Sequence, residues 1–404
     1  MQMTKTEYNP ELLKKWEIDD VSRTKIDGML VKFLSMFDSI FNNSTRVKNF
    51  TAYILGLLSN LDRKSIEPIA LEVMGTSGVR TLQNFITRSS FDDELILEHY
   101  QKQLADMISG GDSAPEGMFS VDGSDFPKKG KHSAGVKRQY CGRLGKIENC
   151  QAGVFAAFAG SGGYGIVDRE LYLPKEWFAK SHEGLRKKCL IPETKEFKTK
   201  NEIALEMIAK AMDKNLFNPK WIGCDSAFGS DHGFVDALAQ MKPNYFVAVT
   251  SKERIFLPDS EFPATVKELA QDDTFTWEQA HFEGSKGISY SDIKIIRCFS
   301  CRTNNKNIPF VHDDIFVYIR RYQNGDTKYF LTNAPKDTSK SELHEAVTLR
   351  WPIEQCFQEC KSELGMADFE GRSYNGFLRH LLFVMIAHFF GTSLRLELKK
   401  TASQ

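Results

Sequence analysis

The sequence predicts a mixed α/β protein: an all-α N-terminal region, an α/β core, and a β-rich insertion that precedes a helical C-terminal segment. Three observations lead there. The first hundred residues place apolar side chains at helical spacing and carry few strand signals. From about residue 118 short apolar runs begin to alternate with amphipathic helical stretches, and residues 252–337 are rich in β-prone sequence. A chain of 404 residues suits two or three units around a substantial core.

In the N-terminal region GMLVKFLSMFDSIF and FTAYILGLLSNL read as helices. SIEPIALEVM and VRTLQNFITR then flank Gly75-Thr-Ser-Gly78, which is a plausible helix-turn-helix. On its second helix Leu82, Phe85 and Ile86 share an inward face, leaving Arg80, Asn84, Thr87 and Arg88 outside, as a groove-reading helix requires. Spacing alone nevertheless favours an ordinary bundle helix with a polar exterior. Asp92 and Asp93 read as caps of the next helix.

After the linker SGGDSAPEG the period changes. Met118–Asp122 reads as a short buried strand, and Cys150–Ala159 and Tyr164–Leu173 as two more around GSGG. An amphipathic helix follows over Asn201–Leu216, then a strand ending WIGCD, a helix from about Gly233 to Met241, and the strand YFVAVT. A three-strand meander followed by alternating helix and strand is the order of the ribonuclease H-like fold, one of several α/β arrangements compatible with this pattern. In the insertion, IFVYIRRYQNGDTKYFLT sets two β-prone arms around Asn324-Gly325, a strong hairpin signal. The expected units are therefore 1–110 (helical), 115–251 (first part of the core), 252–337 (insertion) and 338–404 (core completion).

Composition narrows the function. With 41% hydrophobic and 26% charged residues the chain reads as soluble and globular. The apolar run Leu381–Phe390 is shorter than the roughly 20 residues a membrane span needs, so it reads as a buried helix. The N-terminus MQMTKTEYNPELLKKW lacks the features of a signal peptide, which predicts a cytoplasmic protein. The eight cysteines show no paired zinc spacing, and Cys298–Cys301 reads as an ordinary reduced pair. Formal net charge is zero, so any case for nucleic acid rests on local patches.

Phosphodiester chemistry with Mg²⁺ needs carboxylates converging from separate elements. Asp122 and Asp225 both end apolar strands, where an acid must be solvated, capped or metal-bound; for either alone, capping is the better reading. In RWPIEQCFQECKSELG, at about 100° per residue, Arg350, Glu354, Phe357 and Lys361 share one arc and Glu359 lies opposite. Such a stripe is usually a solvated face, but Arg350 before Glu354 is the poorer order for an intrahelical pair. It suits a site where Glu354 holds metal while Arg350 and Lys361 grip phosphates. The loop after Asp122 carries Lys128, Lys129, Lys131, Lys137, Arg138, Arg143 and Lys146, a patch able to grip phosphates without reading sequence. Asp125 reads as a turn cap, LRKKCLIPETKEFKTK as a surface segment, and Trp277 as a core residue of the insertion rather than a base-stacking one.

Together, VDGSDFPKKGKHSAGVKRQYCGRLGKIENCQAGVF, DRELYLPKEW, WIGCDSAFG and RWPIEQCFQECKSELGMADFEGRSYNGFLRH resemble the DDE-type insertion-sequence transposases. The similarity is to the bacterial branch of that ribonuclease H-like, retroviral-integrase superfamily, with a Tyr-Arg-Glu-Lys signature and a β-strand insertion domain. LDRKSIEPIA is similar to the same group. The resemblance implies Asp122, Asp225 and Glu354 as the acidic triad, holding two Mg²⁺ ions per active site with Mn²⁺ able to substitute, and Arg350 and Lys361 as the signature's basic residues. It implies end cleavage and strand transfer on double-stranded DNA, the transposon's terminal inverted repeats and the target, by a homodimer. Three positions depart from the pattern: Val347 stands at the tyrosine, Pro352 starts or kinks the catalytic helix, and Gly123 replaces a second acid. A non-cleaving DNA-binding protein and a ribonuclease H-like nuclease without strand transfer are the alternatives.

Overall fold

The computed structural model describes residues 20–111, 113–284 and 287–402. The N-terminal segment MQMTKTEYNPELLKKW lies outside the described residues. Helices α1 (Asp20–Ser35), α2 (Ser44–Leu58), α3 (Ile66–Met74), α4 (Gly78–Thr87) and α5 (Asp93–Ser109) form the N-terminal region. Their starts follow side-chain chemistry. Asn43 accepts from the amides of Thr45 and Arg46 ahead of α2, and Asp92 accepts from Glu94 and Leu95 ahead of α5. Asp93, expected to cap as well, instead pairs with buried Arg379 at 2.8 Å.

The core opens with β1 (Glu116–Pro127), β2 (Lys137–Cys141), β3 (Lys146–Gly160) and β4 (Gly163–Tyr172). Next come α6 (Lys200–Lys214), β5 (Asn218–Cys224), α7 (His232–Ala239) and β6 (Asn244–Val249). β1 pairs antiparallel with β3, β3 antiparallel with β4, and β1, β5 and β6 run parallel. Strand order β4-β3-β1-β5-β6 with crossover helices is the ribonuclease H-like arrangement, as the order of elements led us to expect.

The insertion supplies β7 (Arg254–Phe256), β8 (Ala264–Thr265), β9 (Glu278–Gly284), β10 (Gly287–Thr303), β11 (Pro309–Tyr322) and β12 (Thr327–Thr332). β12 bonds antiparallel to β6, so the insertion extends the core sheet into one sheet of 12 strands. The hairpin at Asn324-Gly325 is present, with Gly325 at φ 89° in a four-residue loop.

Two further helices follow: α8 (Lys340–Arg350) covers the sheet face that carries Met118 and Trp221, and α9 (Pro352–Ser362) packs over β3 and β4, with Phe357 against Phe155. The long helix α10 (Tyr374–Ala402) follows. By length and composition α10 is able to cross a membrane, but most of its apolar window is buried inside the fold. Leu381 to Ala387 are each at most 1% exposed, in agreement with the buried helix expected there.

Candidate active site

Parallel pairing of β1 with β5 ends at Val121 opposite Cys224. The next residue on each strand is an aspartate. Because Met118 pairs with Trp221 and Ser120 with Gly223, Asp122 and Asp225 leave the same face in register, where the two strands part. β1 itself does not stop at Asp122, as its sequence suggests; it continues to Pro127 against β3. Asp125 is consequently on the strand rather than in a turn, and its Oδ2 accepts the amide of Gly142 at 2.7 Å.

Asp225 does cap the turn after it, taking the amides of Ala227 (2.9 Å) and Phe228 (3.3 Å) on Oδ1. Both bonds use one oxygen, and among the described residues no donor reaches the other. Among the described residues Asp122 accepts only the amide of Gly123, at 2.6 Å. Its carboxyl is pushed up to about 8, first by burial and then by the charge of Asp225, with Glu354 adding to it and Arg350 opposing.

Glu354 stands in the first turn of α9, which begins at Pro352 as the proline predicts. Arg350, the last residue of α8, lays its stem over Gly223 and pairs its guanidinium with Glu354, so the less favoured order of residues still forms the pair. Lys361, three turns on, lies within electrostatic reach of Asp122 and Asp125. Glu359, on the other side of α9, is taken up by His388 (2.6 Å), Gln355 (2.8 Å) and Arg395 (3.1 Å). Burial pushes its carboxyl up, yet those hydrogen bonds hold it at about 2. Of the two glutamates, Glu354 is the one turned toward Asp122. Val347, in the place of the signature tyrosine, is buried in the apolar cluster of Met118 and Trp221.

A cation site fits this set. Three carboxylates from three elements face one another with a single arginine between them, and burial already penalises Asp122 as an anion. Sequence reading missed the hydroxyls of Ser120 and Ser124, which flank Asp122 at alternate positions of β1 and are buried without a hydrogen-bond partner. The triad is open, however. Among the described residues, the set of carboxylates and imidazole whose ligand atoms lie within 4.8 Å of one another is Asp236, His312 and Asp313, at the surface. There Asp236 is already engaged by Arg302 at 3.1 Å, so an ion pair accounts for it.

The basic residues separate. Lys129, Lys131, Arg138, Arg143 and Lys146 are exposed, and Lys137 pairs with Glu176 at 3.0 Å. Lys128 does not belong with them: its ammonium turns inward to the carbonyl of Phe369, and burial lowers it to about 8. Arg80 and Asn84 on α4 and Arg88 just past its end are exposed while Leu82, Phe85 and Ile86 are buried, as the helical spacing predicts. Trp277 is partly buried and packs against the main hydrophobic cluster, as expected, with Arg321 (4.1 Å) and Lys294 (4.7 Å) over its ring, so it is not a free stacking platform. Cys298 and Cys301 are buried free thiols on β10.

Comparison with known proteins gives the family. Residues 36–272 match the family model of the DDE superfamily endonucleases, and residues 196–390 match that of the transposase DDE domain. A probable transposase for insertion sequence element IS701 from Microchaete diplosiphon is 24% identical over 355 residues, which cover 85% of this chain and 82% of that one. Among solved structures, the piggyBac transposase synaptic complex with hairpin DNA aligns over 100% of this chain and 82% of its own, at 11% identity and a TM-score of 0.45. The matched segments take in Asp122, Asp225 and the helix of Glu354, and the chain belongs to the DDE superfamily of endonucleases, as a DNA endonuclease of the transposase class.

Proposed function

We propose that this protein binds the terminal inverted repeats of its own insertion sequence, cleaves the phosphodiester at each end, and joins the freed 3′-hydroxyls to target DNA. The observation that carries this reading is the register of β1 and β5, which sets Asp122 beside Asp225 under the helix pair bearing Arg350 and Glu354. Asp122, Asp225 and Glu354 would hold two Mg²⁺ ions, or Mn²⁺ in their place. Such ions make bound water a nucleophile near neutral pH and neutralise charge on the leaving oxygen.

The chain's own residues do the rest. Arg350, which pairs with Glu354 in this structure, and Lys361 would bind the phosphates either side of the scissile one. Water first displaces the 3′-oxygen of the end, which leaves as the hydroxyl. That hydroxyl then displaces a target-strand 3′-oxygen in line, so each step forms one P–O bond and breaks one. The exposed lysines and arginines after β1 hold the backbone, and Arg80 and Asn84 on α4, with Arg88 just past its end, read the repeat. The helical region to about residue 110 thus selects DNA, the core cuts it, and the insertion supports the far edge of the sheet. We place the protein in the bacterial cytoplasm, on nucleoid DNA, as a homodimer that bridges two ends.

The test is incubation of the full-length protein with duplexes carrying the inverted repeats that flank its reading frame, plus Mg²⁺ and a target plasmid. Cleaved ends and joined products are expected, and Asp122→Asn, Asp225→Asn or Glu354→Gln lowers turnover by roughly 10³-fold or more while binding persists. Failure to cut with Mg²⁺ or Mn²⁺ at any salt concentration refutes the enzyme reading. Cutting without end preference or joining assigns the chain to a nuclease, and binding without cutting to a DNA-binding role.

A further inference from the structure

The turn joining β2 to β3 presents an unusual surface. Tyr140 and Ile147 stand directly opposite each other across the two strands, and they are 65% and 59% exposed. Leu144, in the turn between them, is 44% exposed. A cross-strand aromatic–aliphatic pair ordinarily packs against something. Here it projects from a ribbon of two short strands closed by Gly145 at φ 64°.

Charge names the occupant. Arg138 lies on the same ribbon face as Tyr140, and Arg143 lies in the turn; neither makes a salt bridge among the described residues. Position does so too. The turn is pinned to the active-site strand by the 2.7 Å bond from Gly142 to Asp125, three residues beyond Asp122, and Arg143 and Lys361 act on each other's charge. An apolar pair rimmed by cations that make no salt bridge among the described residues, beside the carboxylates proposed to cut phosphodiesters, suits a nucleic-acid duplex. The alternative aromatic in the insertion, Trp277, already has two cations over its ring.

We propose that the β2–β3 tip is a DNA wedge: Tyr140 and Ile147 enter the base stack beside the scissile phosphate and hold the end base pairs open, while Arg138 and Arg143 grip the flanking backbone. This deepens the transposase reading and rests on it.

The experiment uses the full-length protein and a terminal-repeat duplex with 2-aminopurine at the base pair next to the cut. Binding of the wild-type chain in Ca²⁺ is expected to raise the probe's fluorescence by unstacking it. Tyr140→Ala with Ile147→Ser is expected to abolish most of that rise and to weaken binding roughly five- to a hundredfold, the range of one stacked base. Arg138→Gln with Arg143→Gln is expected to keep the rise and to lower the salt dependence of binding by about two counterions. Both pairs are exposed, and an unchanged melting temperature verifies that the variants fold. A Tyr140/Ile147 variant that unstacks the probe and cuts like wild type overturns the wedge and leaves the transposase reading standing. A wild-type chain that neither binds nor cuts the duplex overturns both.

Discussion

Gly223 is the test of how the site is held. It lies on β5 two residues before Asp225, and a Cβ there would stand 2.6 Å from the sulfur of Met118, 3.0 Å from the hydroxyl of Ser120 and 3.2 Å from Cγ of Arg350. Ordinary contact begins near 3.4 Å, so Gly223→Ala requires Met118 to retreat by about 0.8 Å, Ser120 by about 0.4 Å and the Arg350 stem by about 0.2 Å. Met118 is fully buried in the cluster of Trp221, Phe246 and Phe330, so repacking it is costly and part of the strain is expected to pass to the arginine. Overpacking of this kind costs about 1–3 kcal/mol, a fall of a few degrees in Tm. The guanidinium end of Arg350 moves by more than its stem does, and a misplacement approaching 1 Å lowers turnover by on the order of 100-fold. Cleavage of a terminal-repeat duplex, with binding measured in parallel by anisotropy, separates the effects. The expected result is turnover down 10- to 100-fold with Kd unchanged. A Gly223→Ala protein that cuts at the wild-type rate refutes the claim that Arg350 is placed through β5.

Two more predictions concern residues whose roles sequence alone left open. Lys129→Ala with Lys131→Ala is expected to lower the slope of log Kd against log salt by about two, as loss of two phosphate contacts requires. Lys128→Ala leaves that slope alone and lowers stability by about 1–3 kcal/mol, since its ammonium serves the Phe369 carbonyl; equal slopes for the two variants contradict the assignment. His380 is buried neutral between the Tyr53 hydroxyl (2.8 Å) and the Gly365 carbonyl (3.0 Å), and burial lowers it to about 4. The unfolded chain takes up this proton near 6.5 and the folded chain only near 4, so stability falls as pH drops through that window, by up to about 3 kcal/mol. Chemical denaturation of wild type and His380→Gln at pH 7 and pH 4.5 should show a shallower loss in the variant; parallel losses place the acid sensitivity elsewhere.

Asp122 and Asp225 draw notice as acids that end apolar runs, and Glu354 by the arc it shares with Arg350 and Lys361, but only the family resemblance joins the three into one proposed site. What the sequence does not carry is pairing at a distance. Gly123, Asp125 and Pro127 are turn-formers, and only the register against Cys150 to Val154 keeps them in β1. Lys137–Cys141 is too short and too polar to announce a strand, yet it pairs residue for residue with Lys146–Cys150. Lys128 looks like the lysines beside it until Phe369, 241 residues away, supplies its acceptor. The insertion reads as a separate β-rich body because nothing local tells that β12 will bond to β6.

The same kind of distant pairing explains LDRKSIEPIA, which local reading could not use. Lys64 donates to the carbonyls of Leu57 and Glu363, its amide goes to Asp368 at 2.9 Å, and Arg63 and Ser65 both reach Glu370. Gly365, at φ 64°, lets the chain pass close over the Lys64 side chain, where a Cβ would meet its carbon at 2.4 Å. His380 takes hold of the Gly365 carbonyl from α10, and Lys128 of the Phe369 carbonyl from the end of β1. The segment that leaves α9 is therefore buckled from three sides, by the N-terminal helices, the active-site strand and the last helix. Since Glu354 and Lys361 ride on α9, their placement over Asp122 depends on bonds made by residues 63–65. Residues 63–65 are in this fold part of what aims the helix of Glu354.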